Sequence, residues 1–166
     1  MKYYFAFLTI LISAGSFAQD FSQYESIPLT TAAEYRKAEP HVILATELVL
    51  ATPIEKKNKN RENAIAFIMK WMGGTSDFSF IPDKTVTKVT ANDPDLVGVY
   101  FACLAKYALE KGKGVDREEL RINAYTLLAK YCENPDNNYK LRGEMKKLVD
   151  AKNQNKIKEY LDSKQK

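Results

Sequence analysis

Glu47 is the residue whose sequence neighbours most favour acid–base chemistry. It is the only acidic residue in the segment 41–54, and most residues around it are apolar. A carboxyl group among apolar side chains has a raised pKa and can serve as a general acid. Enzymes that hydrolyse glycans combine such an acid with a second carboxylate. Candidates for that second group are Asp77, Asp83, Asp93 and Asp95. The simpler alternative is that Glu47 points outward from a helix or pairs with a Lys or Arg.

The two cysteines, Cys103 and Cys132, are the next chemically distinctive pair. They fall on consecutive predicted helices joined by a short connection at 112–115, so the helices are expected to be antiparallel neighbours. Counted from that connection, the two thiols lie at comparable heights. In an exported protein such thiols are often paired, and we predict a structural disulfide. The alternative is that both are small buried apolar side chains.

Other catalytic and ligand-binding patterns are missing from the sequence. His41 is the only histidine in the sequence. Nucleophilic triads and most zinc sites use histidine, and a single histidine cannot form a histidine-rich metal site. No glycine-rich phosphate loop and no Gly-x-Ser-x-Gly motif occurs. We therefore expect no cofactor and no metal site, and we favour a binding role over an enzymatic one.

Aromatic side chains offer a candidate binding surface. Trp71 precedes the segment 75–91, which contains Phe78 and Phe80 among Ser, Thr and Asp residues. If exposed, these three rings could hold sugar rings or a partner protein. The alternative is that they fill the core, since Trp71 belongs to an apolar helix.

The elements that must position these residues are predicted to be mainly helical. Apolar residues recur at helical spacing in most of the chain, which predicts a compact bundle of five or six helices. A capping box, Thr31 with Glu34, opens a short first helix at about 32–38, and Pro40 is expected to break or restart it. Asp93 followed by Pro94 opens a helix that is apolar on most sides and is expected to be central. Within 77–90 the pattern favours a small β-hairpin, with an irregular loop as the alternative.

The N-terminal residues have the pattern of a secretory signal peptide. Lys2 precedes a short apolar run, and Ser16 and Ala18 supply the small residues that a signal peptidase selects. We predict cleavage after Ala18 and export to the periplasm or the medium, from a bacterium. The expected order is then an irregular arm at 19–31, one helical domain at 32–162 and a tail at 163–166.

Charge and hydropathy restrict the partners. The sequence carries 25 Lys and Arg against 21 Asp and Glu, without a basic stripe that has interleaved aromatics, so nucleic acid is not expected. No run after residue 18 is long and apolar enough for a transmembrane anchor. The sequence thus predicts an exported binding or interaction module with a protein or glycan partner. The alternative is a carbohydrate or cell-wall hydrolase that uses Glu47.

Overall fold

The protein is mainly helical, as the sequence pattern predicted. A computed structural model describes residues 21–55, 57–81, 84–91 and 93–165. Within these ranges there are seven α-helices and two short 3-10 helices, and no β-strand. The α-helices are α1 (Ala32–Ala51), α2 (Lys59–Gly74), α3 (Lys84–Thr90), α4 (Pro94–Lys111), α5 (Arg117–Glu133), α6 (Gly143–Asn153) and α7 (Ile157–Gln165).

The hairpin predicted at 77–90 is wrong, because the second half of this segment is the helix α3. Val86 and Val89 are three residues apart, and both are buried together with Thr85 and Thr90. This spacing makes one helical face rather than the alternation of a strand. The Thr90 hydroxyl also donates a hydrogen bond to the Val86 carbonyl, one helical turn back, at 2.8 Å. The new helix, together with a C-terminal region divided into α6 and α7, raises the count from five or six to seven.

Helix α1 begins where the sequence predicted but does not end where it predicted. The predicted capping box is present, since the Thr31 hydroxyl accepts from the Glu34 amide and the Glu34 carboxylate accepts from the Thr31 amide. Pro40, however, lies inside the helix instead of ending it. The segment 41–51 is therefore helical, and its buried face packs Val42, Ala45 and Val49 into the core.

Helix α4 is the central element, as predicted. Asp93 caps it through hydrogen bonds from the amides of Asp95 and Leu96, and Pro94 occupies its first turn. Nine of its residues are buried. It packs against α1, α2, α3 and α5, so most other helices take their positions from it.

The N-terminal arm is more ordered than the sequence suggested. Residues Phe21–Ser26 form a 3-10 helix, and both Phe21 and Tyr24 are buried in the core. The Phe21 amide donates to the Asn60 side chain at 2.7 Å, which ties the arm to the start of α2. The predicted signal peptide at 1–18 lies outside the described residues. Among the described helices, none has both the length and the apolar character required to cross a bilayer.

The disulfide predicted between Cys103 and Cys132 is not formed in the structure. Both side chains are free thiols buried on the inward faces of α4 and α5. They serve there as small apolar residues, which was the alternative reading. Burial raises the pKa of both thiols, that of Cys132 to about 12.

We expect a thiol reagent such as Ellman's reagent to leave the native protein unmodified at pH 8. A buried thiol with a raised pKa is neither accessible nor ionised, and the thiolate is the reactive species. In 6 M guanidinium chloride without reductant, two thiols per chain should react. Failure of the unfolded protein to react until a reductant is added would show that the two cysteines are bridged.

Candidate functional site

A cavity lies between α3, α4, α5 and α7 in the described part of the chain. Its volume is about 770 Å³, within the range of ligand pockets. The loop 79–81 and α3 form one wall, and the start of α5 with the end of α7 forms the other. Tyr100 and Leu104 of the central helix lie at its floor. We call this feature the basic cavity.

Positive charge dominates the lining of the basic cavity. Among the described residues that line it, five side chains are cationic and two, Asp116 and Glu118, are anionic. Asp116 is occupied as the N-cap of α5, where it accepts from the Glu119 amide at 2.9 Å. Glu118 is paired with Arg121 at 3.2 Å. The five cations are Lys84, Lys88, Arg117, Arg121 and Lys164.

Two of these cations are held in place by the protein. Arg121 is largely buried and lies between Glu118 and Asp162, at 3.2 and 3.5 Å. Lys164 pairs with Glu144 at 2.7 Å, and its carbonyl accepts a hydrogen bond from Lys88 at 3.1 Å. These contacts tie α3, α5, α6 and α7 together around the cavity.

The exposed cations Lys84 and Arg117 are the ones available to a ligand. Neither forms an ion pair with another residue in the described part of the chain. Arg117 lies in the first turn of α5, where the helix dipole adds positive potential. The described lining carries five cations against two carboxylates, so its charge balance favours an entering anion.

The floor and the loop wall of the basic cavity are apolar. Tyr100, Leu104 and Leu120 are buried beneath it. Phe80 lines the wall, and its ring lies 5.9 Å from that of Trp71, which is fully buried. The cavity therefore combines an apolar base with a cationic rim.

Comparison with known proteins supplies no relative for this arrangement. The chain matches no protein-family model, no curated protein and no solved structure.

Glu47 does not have the surroundings that its sequence neighbours suggested. It is exposed on the outer face of α1, because the buried positions of this helix are Val42, Ala45, Thr46 and Val49. Without burial, the physical reason for a general acid at this position is lost. The structure also gives each described partner candidate another role. Asp77 binds Arg36 and Lys113, Asp93 caps α4, and Asp95 pairs with Arg61.

Trp71 is not part of an exposed platform. Its side chain is completely buried, and its indole N–H donates to the Tyr35 carbonyl at 3.1 Å. Phe78 and Phe80 are half-buried and pack on it, with ring centres 5.7 and 5.9 Å away. Of the three aromatic candidates, only Phe80 lines the basic cavity.

A second group of charges, around Asp77, is structural. Asp77 accepts from Arg36 at 2.7 Å and from Lys113 at 2.8 Å, and the bonds from Arg36 and Lys113 hold its pKa well below the usual range. Burial, and then the charge of Asp77, raise the pKa of Glu39 nearby. Two carboxyl groups with opposed pKa shifts can form an acid–base pair, but here both oxygens of Asp77 are taken by cations. This cluster joins α1 to the loops around it.

The cations of the basic cavity were missed by the sequence analysis. Lys84 and Lys88, and likewise Arg117 and Arg121, are four residues apart, a spacing that places each pair on one helix face. The hairpin predicted within 77–90 does not have helical spacing, and this hid the first pair. Nothing in the sequence shows that α3 meets the start of α5 and the end of α7.

Replacing Glu144 with glutamine should lower the free energy of unfolding by about 1 kcal/mol at pH 7. Glu144 accepts from Lys147, Lys164 and Tyr160, and the bonds from the two lysines, Lys147 foremost, lower its pKa to about 2 from 4.5. Because its pKa is lower in the folded protein, its contribution is complete above about pH 4.5 and is lost as the pH falls toward 2.

Urea unfolding of the wild type and the Glu144→Gln protein at several pH values tests this dependence. The difference in stability should shrink steadily between pH 5 and pH 2. Glu159→Gln, on the exposed side of α7, is the control and should change stability little at any pH. A Glu144 effect that stays constant across this range would contradict the assigned role.

Proposed function

We propose that this protein is an exported, non-enzymatic binding module whose ligand is anionic. The observation that carries the proposal is the basic cavity, in which exposed cations surround an apolar floor of ligand-binding size. Export rests on the sequence pattern of residues 1–18. A protein or glycan partner fits this proposal if it presents acidic groups to the cavity.

The cavity favours binding over catalysis. The two carboxylates among its described lining residues are engaged, Asp116 as a helix cap and Glu118 in an ion pair. Acid–base catalysis needs a side chain that can contact the substrate, whereas these two carboxylates bind groups of the protein itself. The hydrolase alternative depended on Glu47, whose exposure removes its basis. The cavity can bind a ligand through electrostatic attraction to its cations and through contact with its apolar floor.

Reversing two rim charges should abolish ligand binding without unfolding the protein. Lys84 and Arg117 are exposed and stand near helix starts, where glutamate is favourable for the helix dipole. The Lys84→Glu/Arg117→Glu protein should therefore fold normally while repelling anions. The matched control, Lys37→Glu/Lys146→Glu, makes the same change of charge on exposed faces of α1 and α6.

Thermal unfolding in the presence of small ligands measures the effect. The anionic probes are phenyl phosphate, a nucleoside monophosphate and oligogalacturonate, and cellotetraose is the neutral one. A ligand at one hundred times its Kd stabilises the protein by about 2.7 kcal/mol, which raises Tm by about 5 °C or more. We expect that rise for at least one anionic probe in the wild type and the control, with at least tenfold weaker binding (about 1.4 kcal/mol) in the rim variant. A response to the neutral sugar alone, or an anion response that survives the rim reversal, would contradict the proposal.

A further inference from the structure

A second, smaller hollow opens next to the basic cavity. Its volume is about 170 Å³, and its lining is apolar. We call it the methionine hollow. It is lined by Met69, Met72, Gly73, Phe80 and Phe101.

Phe80 connects the two features, because its side chain lines both of them. The ring rests on Trp71, so it forms a fixed ridge between the cationic rim and the methionine hollow. A ligand lying over this ridge would contact the cations on one side and the thioether side chains on the other.

Exposed apolar surface is concentrated at this place. In the described ranges only three large apolar side chains are exposed, and two of them, Met69 and Ile81, belong to the methionine hollow and the basic cavity. Exposed apolar surface beside a ligand pocket marks an interaction site more often than a lone exposed side chain does. Methionine is flexible and polarisable, so it adapts to an apolar chain of variable shape.

We infer that the ligand is a single-chain anionic amphiphile, with its head group in the basic cavity and its chain over Phe80 in the methionine hollow. This inference rests on the proposed function and adds the chemical class of the ligand. Charge complementarity with Lys84 and Arg117 selects a phosphate, sulfonate or carboxylate head. The apolar hollow on the other side of Phe80 selects a hydrocarbon chain.

The size of the methionine hollow sets the length of that chain. A group the size of a water molecule takes about 30 Å³, so 170 Å³ holds about five or six carbon atoms. Burying one methylene completely tightens binding about fourfold, and burying half of its surface tightens it about twofold. Because the hollow is open on one side, five added methylenes should tighten binding about thirtyfold.

Isothermal titration calorimetry with methyl phosphate and hexyl phosphate tests the inference. The wild type should bind hexyl phosphate about thirtyfold more tightly than methyl phosphate. In the Met69→Gln/Gly73→Gln protein this gain should disappear while methyl phosphate binding stays unchanged. Both positions tolerate the change, because Met69 is half exposed and a side chain at Gly73 meets open space. Ala66→Gln, on the exposed face of α2, is the control and should retain the gain.

The outcomes separate this inference from the proposed function. Equal binding of the two phosphates, lost in the Lys84→Glu/Arg117→Glu protein, would overturn the amphiphile and leave the anion site standing. No binding of either phosphate would overturn this inference, and the proposed function would fall with it only if no anionic probe raised Tm in the thermal unfolding experiment. Binding to phosphatidylglycerol vesicles without binding to hexyl phosphate would show a membrane surface as the occupant and would also overturn the inference.

Discussion

Replacing Trp71 with alanine should lower the free energy of unfolding by about 3–5 kcal/mol, the range found for large aromatic residues removed from a core. Trp71 is completely buried, and the rings of Phe78 and Phe80 both pack against its indole. The substitution leaves a void, removes the hydrogen bond to Tyr35 and withdraws the support of the cavity wall. Urea unfolding followed by circular dichroism measures the loss.

Two other variants locate the cause of the Trp71 effect. Trp71→Phe keeps most of the apolar bulk and should cost clearly less than alanine. Met69→Ala, two positions earlier on the exposed side of α2, should cost about 0.5 kcal/mol or less. A loss below about 1 kcal/mol for Trp71→Ala would mean that the indole is exposed, as the platform interpretation required.

Replacing Asp95 with asparagine should cost about 2–3 kcal/mol, because it leaves a buried cation without its carboxylate. Arg61 is only 2% exposed, and its guanidinium donates to Asp95 at 3.1 Å. Removing one partner of a buried ion pair costs about 3–5 kcal/mol. Because Asp95 is half exposed, we expect a loss at or below the lower end of that range. The loss of a favourable charge in the first turn of α4 is included in the figure.

A double-mutant cycle isolates the ion pair from the other effects. Arg61→Met/Asp95→Asn replaces the guanidinium by an apolar side chain of similar length and should recover most of the stability lost in Asp95→Asn alone. The coupling energy between the two positions should then exceed about 1 kcal/mol. A double variant that is as unstable as Asp95→Asn would show that the buried charge is not the cause.

Local signals in the sequence were sufficient to predict much of the helical architecture. Asp93 with Pro94, and Thr31 with Glu34, act through contacts within one helical turn, and both motifs start helices as expected. Asp116 and Glu119 have the spacing of a second capping box, of which only half forms. Glu119 donates its amide to Asp116, but its carboxylate instead accepts from Tyr107 and pairs with Lys111.

Errors arose where tertiary contacts override the local pattern. Pro40 was expected to break or restart a helix, yet α1 continues through it, with Val42 and Val49 beyond it buried in the core. The residues of α3 are rich in Thr and Val, which favour strands by propensity, but their burial against α4 and α6 selects a helix.

The candidate site was only partly accessible from the sequence. Phe80 was named and does line the basic cavity, whereas Glu47 was assigned by its neighbours along the chain and turned out to face solvent. Sequence neighbours in a helix point in different directions, so an apolar run does not establish burial of each residue. The cations come from three helices that are distant in sequence, and only the fold brings them together.

The most direct test of the anion site is a nuclear magnetic resonance titration of the ¹⁵N-labelled protein with hexyl phosphate. We predict that the shifted backbone amides cluster in the loop 79–81, in α3, at the start of α5 and at the end of α7, with further shifts near Met69. Shifts confined to other surfaces, such as the exposed face of α1 around Glu47, or no shifts at millimolar hexyl phosphate, would contradict the account.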